Sequence, residues 1–369
     1  MSMIALNKKI YVFFSILSLL STLLVILLGI KYVPLNVYSV HLQSLAILSA
    51  AGILDYLFLN RLELASVGRF NLIKRIIGNN NFLLIVFLIF GVISVYHNIL
   101  FFWLSLFFIR HYLNIRRSVM IIGGKLSLSY VTYSMQVLRN LVFFVPEISL
   151  ELYKSLYLLS FVPEILCAVA FFRPNSGKDF YIRKIKFRFF SDSFQYRFFY
   201  VAMDLMCRVL IPFFLAESQS ANYLYIVNLI SFPVAGYSLC GALIHAHILK
   251  NKRIPNLIHI LVLTALLSVL CFLFFVTINS NDNGLLILVL LAMAASLKTQ
   301  DQILISFYVS QGYFLILKRL FFIGFMFVSC SALFVYFYNK IALEITLTSM
   351  IFSSLILYFS VFRFSADEK

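Results

Sequence analysis

Apolar stretches about as long as a bilayer is thick recur from one end of this chain to the other. A helix needs ~20 mostly apolar residues to cross the hydrocarbon core. Such runs fall at about 10–30, 36–59, 82–96, 98–115, 126–146, 152–172, 195–215, 222–247, 255–277, 284–309, 314–338 and 342–362. In lipid, every backbone N–H and C=O must be bonded within the protein, which leaves helices or a closed barrel. Barrel strands would alternate apolar and polar residues over ~10 positions, and these runs do not. The expected fold is therefore an all-α membrane protein with about 12 transmembrane helices. Composition agrees: 62% of the 369 residues are hydrophobic and 12% charged, against roughly 45–50% and about 25% in soluble domains. The first run follows Lys8 and Lys9 and outlasts the ~7–15-residue core of a signal peptide, so it reads as a retained span. Residues 82–115 are short for two crossings, and "VYHN" (Val95–Asn98) is the only turn signal there.

The charges sort the connections into two sets. One holds Lys8 and Lys9, Arg61 to Arg75, Arg110 to Lys125, Arg173 to Arg188, Lys250 to Arg253, Lys318 and Arg319, and Arg363 and Lys369. The alternate set holds only Lys31, Lys154 and Lys340, among short neutral or acidic stretches such as "PEISLE" and "NSNDN". The positive-inside bias thus expects both termini in the cytoplasm. A net charge of +16 would suggest nucleic acid in a soluble protein; here it marks the cytoplasmic face, and no nucleic-acid partner is expected.

The longest polar segment, "FRPNSGKDFYIRKIKFRFFSDS" (Phe172–Ser193), falls between the sixth and seventh runs. It divides the chain into an N-terminal six-helix lobe (1–172), a cytoplasmic linker (173–194) and a C-terminal six-helix lobe (195–369). A membrane-surface amphipathic helix fits the same segment. "PLNVYSVHLQSLA" (Pro34–Ala46) and "SQSANYLYIVNLIS" (Ser218–Ser231) each open the second span of their half after a short polar approach. With an even number of spans per half, this suggests a parallel pseudo-repeat about an axis along the membrane normal, as in transporters.

Interior charges point to function. A charge at mid-bilayer costs roughly 2.5–3.5 kcal/mol on insertion scales, so each needs a reason. The basic ones are Arg139, Arg197, Arg208 and Lys298; the acids are Asp55, Glu164, Asp204 and Asp301. At 100° per residue, Arg197, Asp204 and Arg208 fall on one stripe of the seventh span, and Asp204 and Arg208, four apart, can touch. Lys298 and Asp301 are three apart in "SLKTQDQILIS". Arg139 and Glu164, the latter beside Pro163, suit a brace within the first half, and Asp55 suits snorkelling toward Arg61. Self-neutralised pairs would explain much of this. On the stripe of the seventh span two arginines face one acid, and that surplus suits an anionic cargo, because arginine binds phosphate bidentately.

Other chemistry is faint. His245 and His247 lie two apart and point ~200° apart on a helix, so no metal site is expected. The five cysteines, Cys167, Cys207, Cys240, Cys271 and Cys330, all lie in apolar runs and read as small buried hydrophobes. There is no H-E-x-x-H, phosphate-binding glycine loop or G-x-S-x-G, and no enzyme or cofactor is expected.

The paired segments "VPLNVYSVHLQSLAIL" and "SQSANYLYIVNLISFPVAGY", with Arg208 and Lys298 as interior cations, resemble bacterial lipid-linked oligosaccharide flippases. These serve O-antigen and capsule assembly and belong to the multidrug/oligosaccharidyl-lipid/polysaccharide exporter superfamily. The resemblance covers nearly the whole chain as architecture, but its motifs are loose. It implies a cationic cavity between two lobes, with Arg208, Arg197, Lys298 and Arg139 facing an undecaprenyl-diphosphate-linked glycan. Asp204, Asp301, Glu164 or Asp55 would serve proton or Na⁺ coupling. The implied setting is the bacterial inner membrane, with membrane lipids and other polysaccharide-assembly proteins as partners. Glycines expected at the second span of each half are replaced by Leu35–Asn36 and Ala221–Asn222, which leaves the glycan unassigned. Two alternatives remain open: a polymerase or ligase of the same glycans, disfavoured by the short loops, and a cation-coupled multidrug exporter, disfavoured by the basic balance.

Overall fold

The computed structural model describes residues 3–51, 82–94, 98–122, 127–145, 147–170, 187–230 and 284–367. Every regular element among them is helical. The chain divides into two compact units, Met1–Lys186 and Phe187–Lys369.

In the first unit the order is α1 (Met3–Tyr32), α2 (Leu35–Ala50), α3 (Phe82–Ser94), α4 (Ile99–Ile122), α5 (Ser127–Val142), α6 (Leu150–Leu159) and α7 (Val162–Ala170). Pro34 ends α1 and stands as the N-cap of α2, where its missing N–H costs nothing. The stretch 82–115 contributes to two helices, one over residues 82–94 and the next beginning at Ile99. Ser149 caps α6 by accepting from Leu152 N at 3.2 Å. The expected sixth span is a single apolar run, Leu150–Ala170, but it breaks at Ser160–Phe161. Pro163 explains the break: it offers no N–H to the carbonyl four residues back, and its ring crowds that turn. Helix α5 packs between α1 and α7, and α4 packs on α2 and α7.

The second unit begins with α8 (Phe187–Leu205), a wide π turn (Met206–Leu210) and a 3₁₀ turn (Ile211–Phe214). Helix α8 therefore starts inside the segment expected as linker. Then come α9 (residues 217–230), α10 (Gly284–Gln311), α11 (Phe314–Phe337) and α12 (Ala342–Asp367). Helix α11 is central, packing on both α8 and α12, while α10 packs along α12. Helix α10 stops in a Schellman motif: Gly312 N bonds to Val309 O at 3.1 Å and Tyr313 N to Tyr308 O at 3.0 Å. The motif needs a left-handed residue, and Gly312 supplies it with φ +78°.

Four described helical stretches are long and apolar enough to cross a membrane: Leu150–Ala170, Leu285–Val309, Phe314–Phe337 and Ala342–Ser360. Only 28% of the apolar window of Phe314–Phe337 is buried, and Phe322, Ile323, Met326, Phe327, Leu333 and Phe334 are exposed along it. In water such a continuous apolar face would be a liability; against lipid it is ordinary. The remainder of the second expected span and the whole of the ninth lie outside the described residues, as do Asp55, His245 and His247.

Candidate functional site

The first half of the charge pattern resolves into a closed core. Arg139 on α5 and Glu164 on α7 are both fully buried and form an ion pair. The guanidinium also donates from Nε to Ser160 Oγ at 3.0 Å and from Nη1 to Gln136 Oε1 at 3.3 Å. Its carbon lies 3.8 Å from the centre of the Phe161 ring, close enough for a desolvated cation–π contact. Arg139 therefore spans the break between α6 and α7, holding residues on both sides of it. Asn140, one residue on, donates to Ser21 Oγ at 2.8 Å and Thr22 Oγ1 at 3.1 Å, which ties α5 to α1. Nearby, His41 Nδ1 meets Tyr153 Oη at 2.9 Å, and the His41, Tyr153 and Tyr157 rings pack edge to face or tilted. The arrangement is that of a polar joint between helices.

In the second unit the charges border open space. Helix α8 carries Tyr200, Met203 and Asp204 on one face at three- and four-residue spacing, and its π turn adds Cys207 and Arg208. Val227 and Ile230 of α9, Lys298 of α10, Val328 of α11 and Met350 and Ser353 of α12 complete a pocket of about 60 Å³. That is room for a few water molecules. Arg208 Nη2 lies 2.7 Å from Asp204 Oδ1, and these side chains remain 18% and 24% exposed. Arg208 Nη1 reaches Asn228 Oδ1 at 3.5 Å, a marginal contact, while its Nε is buried without a hydrogen-bond partner. Lys298 Nζ sits 3.3 Å from Asp301 Oδ2 and 6.0 Å from the centre of the Tyr200 ring. Asp301 is held from behind by Ser354, whose hydroxyl donates to Oδ2 at 2.7 Å. Gln302 Nε2 donates to Tyr200 Oη at 2.7 Å.

The π turn explains why Arg208 opens onto the pocket. A π turn closes by i→i+5 bonds and occurs mostly as a single widened turn at functional sites. Here it is followed by Pro212, which cannot donate into the regular i→i−4 pattern, so the helix has reason to depart from α geometry. Tyr223 Oη, donating to Cys207 O at 2.7 Å, satisfies one carbonyl of the widened turn.

Of the residues singled out from sequence, Arg208, Lys298 and Asp204 line one pocket, and Asp301 braces Lys298 beside it. Arg197 does not line it; its Nε donates to Tyr196 Oη at 3.0 Å. Arg139 and Glu164 lie fully buried in the core of the other unit. Missed from sequence were Tyr200, Cys207, Asn228, Ser353 and Ser354. Tyr200 could have been found, because it stands four residues before Asp204 on the stripe already drawn. Among the described residues no three histidine, cysteine or acidic side chains are grouped to hold a metal ion.

Fold and pocket together define a helical protein with bilayer-length apolar helices and a charged pocket inside its second unit. No family model, curated protein or solved structure matches the chain.

Proposed function

We propose that this chain is a transporter of the bacterial inner membrane that moves an anionic, diphosphate-linked glycolipid between leaflets. The carrying observation is the pocket of the second unit, where Arg208 and Lys298 face a small open space with Asp204 as the one lining acid among the described residues. A buried arginine N–H without an acceptor (Arg208 Nε) is a donor available to a phosphate oxygen. In this reading the two halves of the chain form two six-helix lobes with twelve crossings in all, and both termini are cytoplasmic. Rocking of the lobes carries the head group across while the polyprenyl tail stays in lipid. Undecaprenyl-diphosphate-linked oligosaccharide is the cargo class that the family resemblance implies.

The test uses the purified chain in liposomes loaded with a fluorescent polyprenyl-diphosphate-linked sugar. Arrival in the outer leaflet is read by quenching with a membrane-impermeant reductant. Arg208→Ala and Lys298→Ala should each slow flipping at least tenfold while leaving elution as a monodisperse species unchanged. Wild-type flipping by the double variant would refute the assignment.

A further inference from the structure

The four ionic groups at the pocket cancel. Arg208 and Lys298 contribute two positive charges, and Asp204 and Asp301 two negative ones. Among the described residues the site is therefore neutral, and most of its remaining lining is apolar: Met203, Val227, Ile230, Val328 and Met350. A phosphate group entering such a place brings uncompensated negative charge, which a poorly solvated site opposes. One proton taken up by a carboxylate would offset one unit of that charge.

Only one of the two carboxylates is placed to take it. Asp301 is 2% exposed and is fixed by both Lys298 Nζ and Ser354 Oγ. Asp204 faces the pocket, is 24% exposed, and has Arg208 as its ionic partner. Around it, α8 and its π turn contribute Tyr200, Cys207 and Arg208, and α10 contributes Lys298 and Asp301. Helix α9 contributes Tyr223, whose hydroxyl is bonded to Cys207 O, and α11 and α12 bring only neutral lining residues, Val328, Met350 and Ser353. Arg208 is also the group that a phosphate would seek, because its guanidinium holds Asp204 in the manner in which it would hold a phosphate oxygen.

We propose that Asp204 is a built-in stand-in for the cargo's phosphate: the incoming anion displaces it from Arg208, and the freed carboxylate takes up one proton, so that anion and proton enter the pocket together. This rests on the reading of the pocket as an anion site and adds how that site is coupled. The balance is one proton from solution to an Asp204 oxygen, with no covalent bond formed elsewhere. The coupling is then co-binding, and acid favours loading of the site. Where the free site holds Asp204 ionised and the loaded site holds it protonated, apparent affinity falls about tenfold per pH unit, and it levels off once the loaded site no longer takes the proton.

The experiment measures sulfate binding to the full-length chain in lipid nanodiscs. Sulfate is a tetrahedral dianion with no proton to gain between pH 5 and 8. Calorimetry in two buffers of different ionisation enthalpy counts protons taken up per sulfate bound. Wild type should take up about one, with affinity falling as pH rises. Asp204→Asn should bind several-fold more tightly at neutral pH, take up none and lose the pH dependence. Asp301→Asn should keep it, and Arg208→Ala should not bind at any pH. If Asp204→Asn does not fold, Asp204→Ser is held to the same expectation. Sulfate binding by wild type without proton uptake, with Asp204→Asn no tighter, overturns the stand-in while leaving the anion site standing. Absence of binding by both wild type and Asp204→Asn overturns the stand-in and the anion site alike.

Discussion

Removing the Arg139 guanidinium should be among the most damaging single changes this chain can suffer. Arg139→Leu keeps most of the side-chain volume but leaves Glu164, 0% exposed, as an uncompensated buried acid. Breaking one partner of such a pair costs about 3–5 kcal/mol. The cation–π contact with Phe161, at 3.8 Å, contributes about 2 kcal/mol when desolvated, and that loss falls within the same measured range because the effects share one group. The double variant Arg139→Leu/Glu164→Leu removes both charges. Apolar replacement of a whole buried pair is often neutral or stabilising, so it should return to within about 2 kcal/mol of wild type. Ser160 keeps its bond to Tyr157 O, which limits what is left unsatisfied. The assay is reversible unfolding in mixed detergent micelles, with wild type and both variants compared at one denaturant fraction. A double variant as unstable as Arg139→Leu, or a single variant within about 1 kcal/mol of wild type, would refute the account of this core as a charge-balanced joint.

Three further outcomes follow from local geometry. Lys154 is 5% exposed and donates from Nζ to Ser94 O at 2.9 Å, closing the C-terminal end of α3. Lys154→Met should cost about 1–3 kcal/mol by orphaning that carbonyl, read in the same unfolding assay. A methyl group at Gly29 would come within 2.7 Å of both the Phe143 and Tyr38 rings, and Tyr38 is pinned by its hydroxyl to Ile26 O at 2.9 Å. Gly29→Ala should therefore lose about 1–3 kcal/mol, whereas Gly91→Ala, with its nearest atom at 3.5 Å, should be close to neutral. Gly312→Ala has open space around it but must hold φ +78°. It should cost about 1 kcal/mol and loosen the end of α10, seen as faster amide exchange at Tyr313.

Among the described residues the helices fall at apolar runs, which is how they were legible, and four stretches are long and apolar enough to cross a membrane. Glu164 beside Pro163 advertised a disturbed sixth run, and the break occurs at Ser160–Phe161, just ahead of that proline. The pairings at three- and four-residue spacing, Asp204 with Arg208 and Lys298 with Asp301, were legible for the same reason: they lie within one helix. Contacts between helices were not. Ser354 reaches Asp301 across 53 residues, and His41 reaches Tyr153 across 112, and no periodicity encodes which faces meet. Arg197 shows the limit of a helical wheel. It shares the stripe of Asp204 and Arg208 on paper, yet it leans on Tyr196, one residue away.

The widened turn at Met206–Leu210 has a consequence for how the chain tolerates length changes. Such a turn holds about one residue more than a regular one. Deleting a single residue there would let the backbone relax into ordinary α geometry with little penalty in hydrogen bonding. Side chains beyond the cut would stay near their original positions around the axis, because the wide turn and the regular one each complete about one revolution. Deletion of Arg208 itself would thus take the guanidinium out of the hollow while the helix stays whole, and the protein would remain well folded but empty-handed.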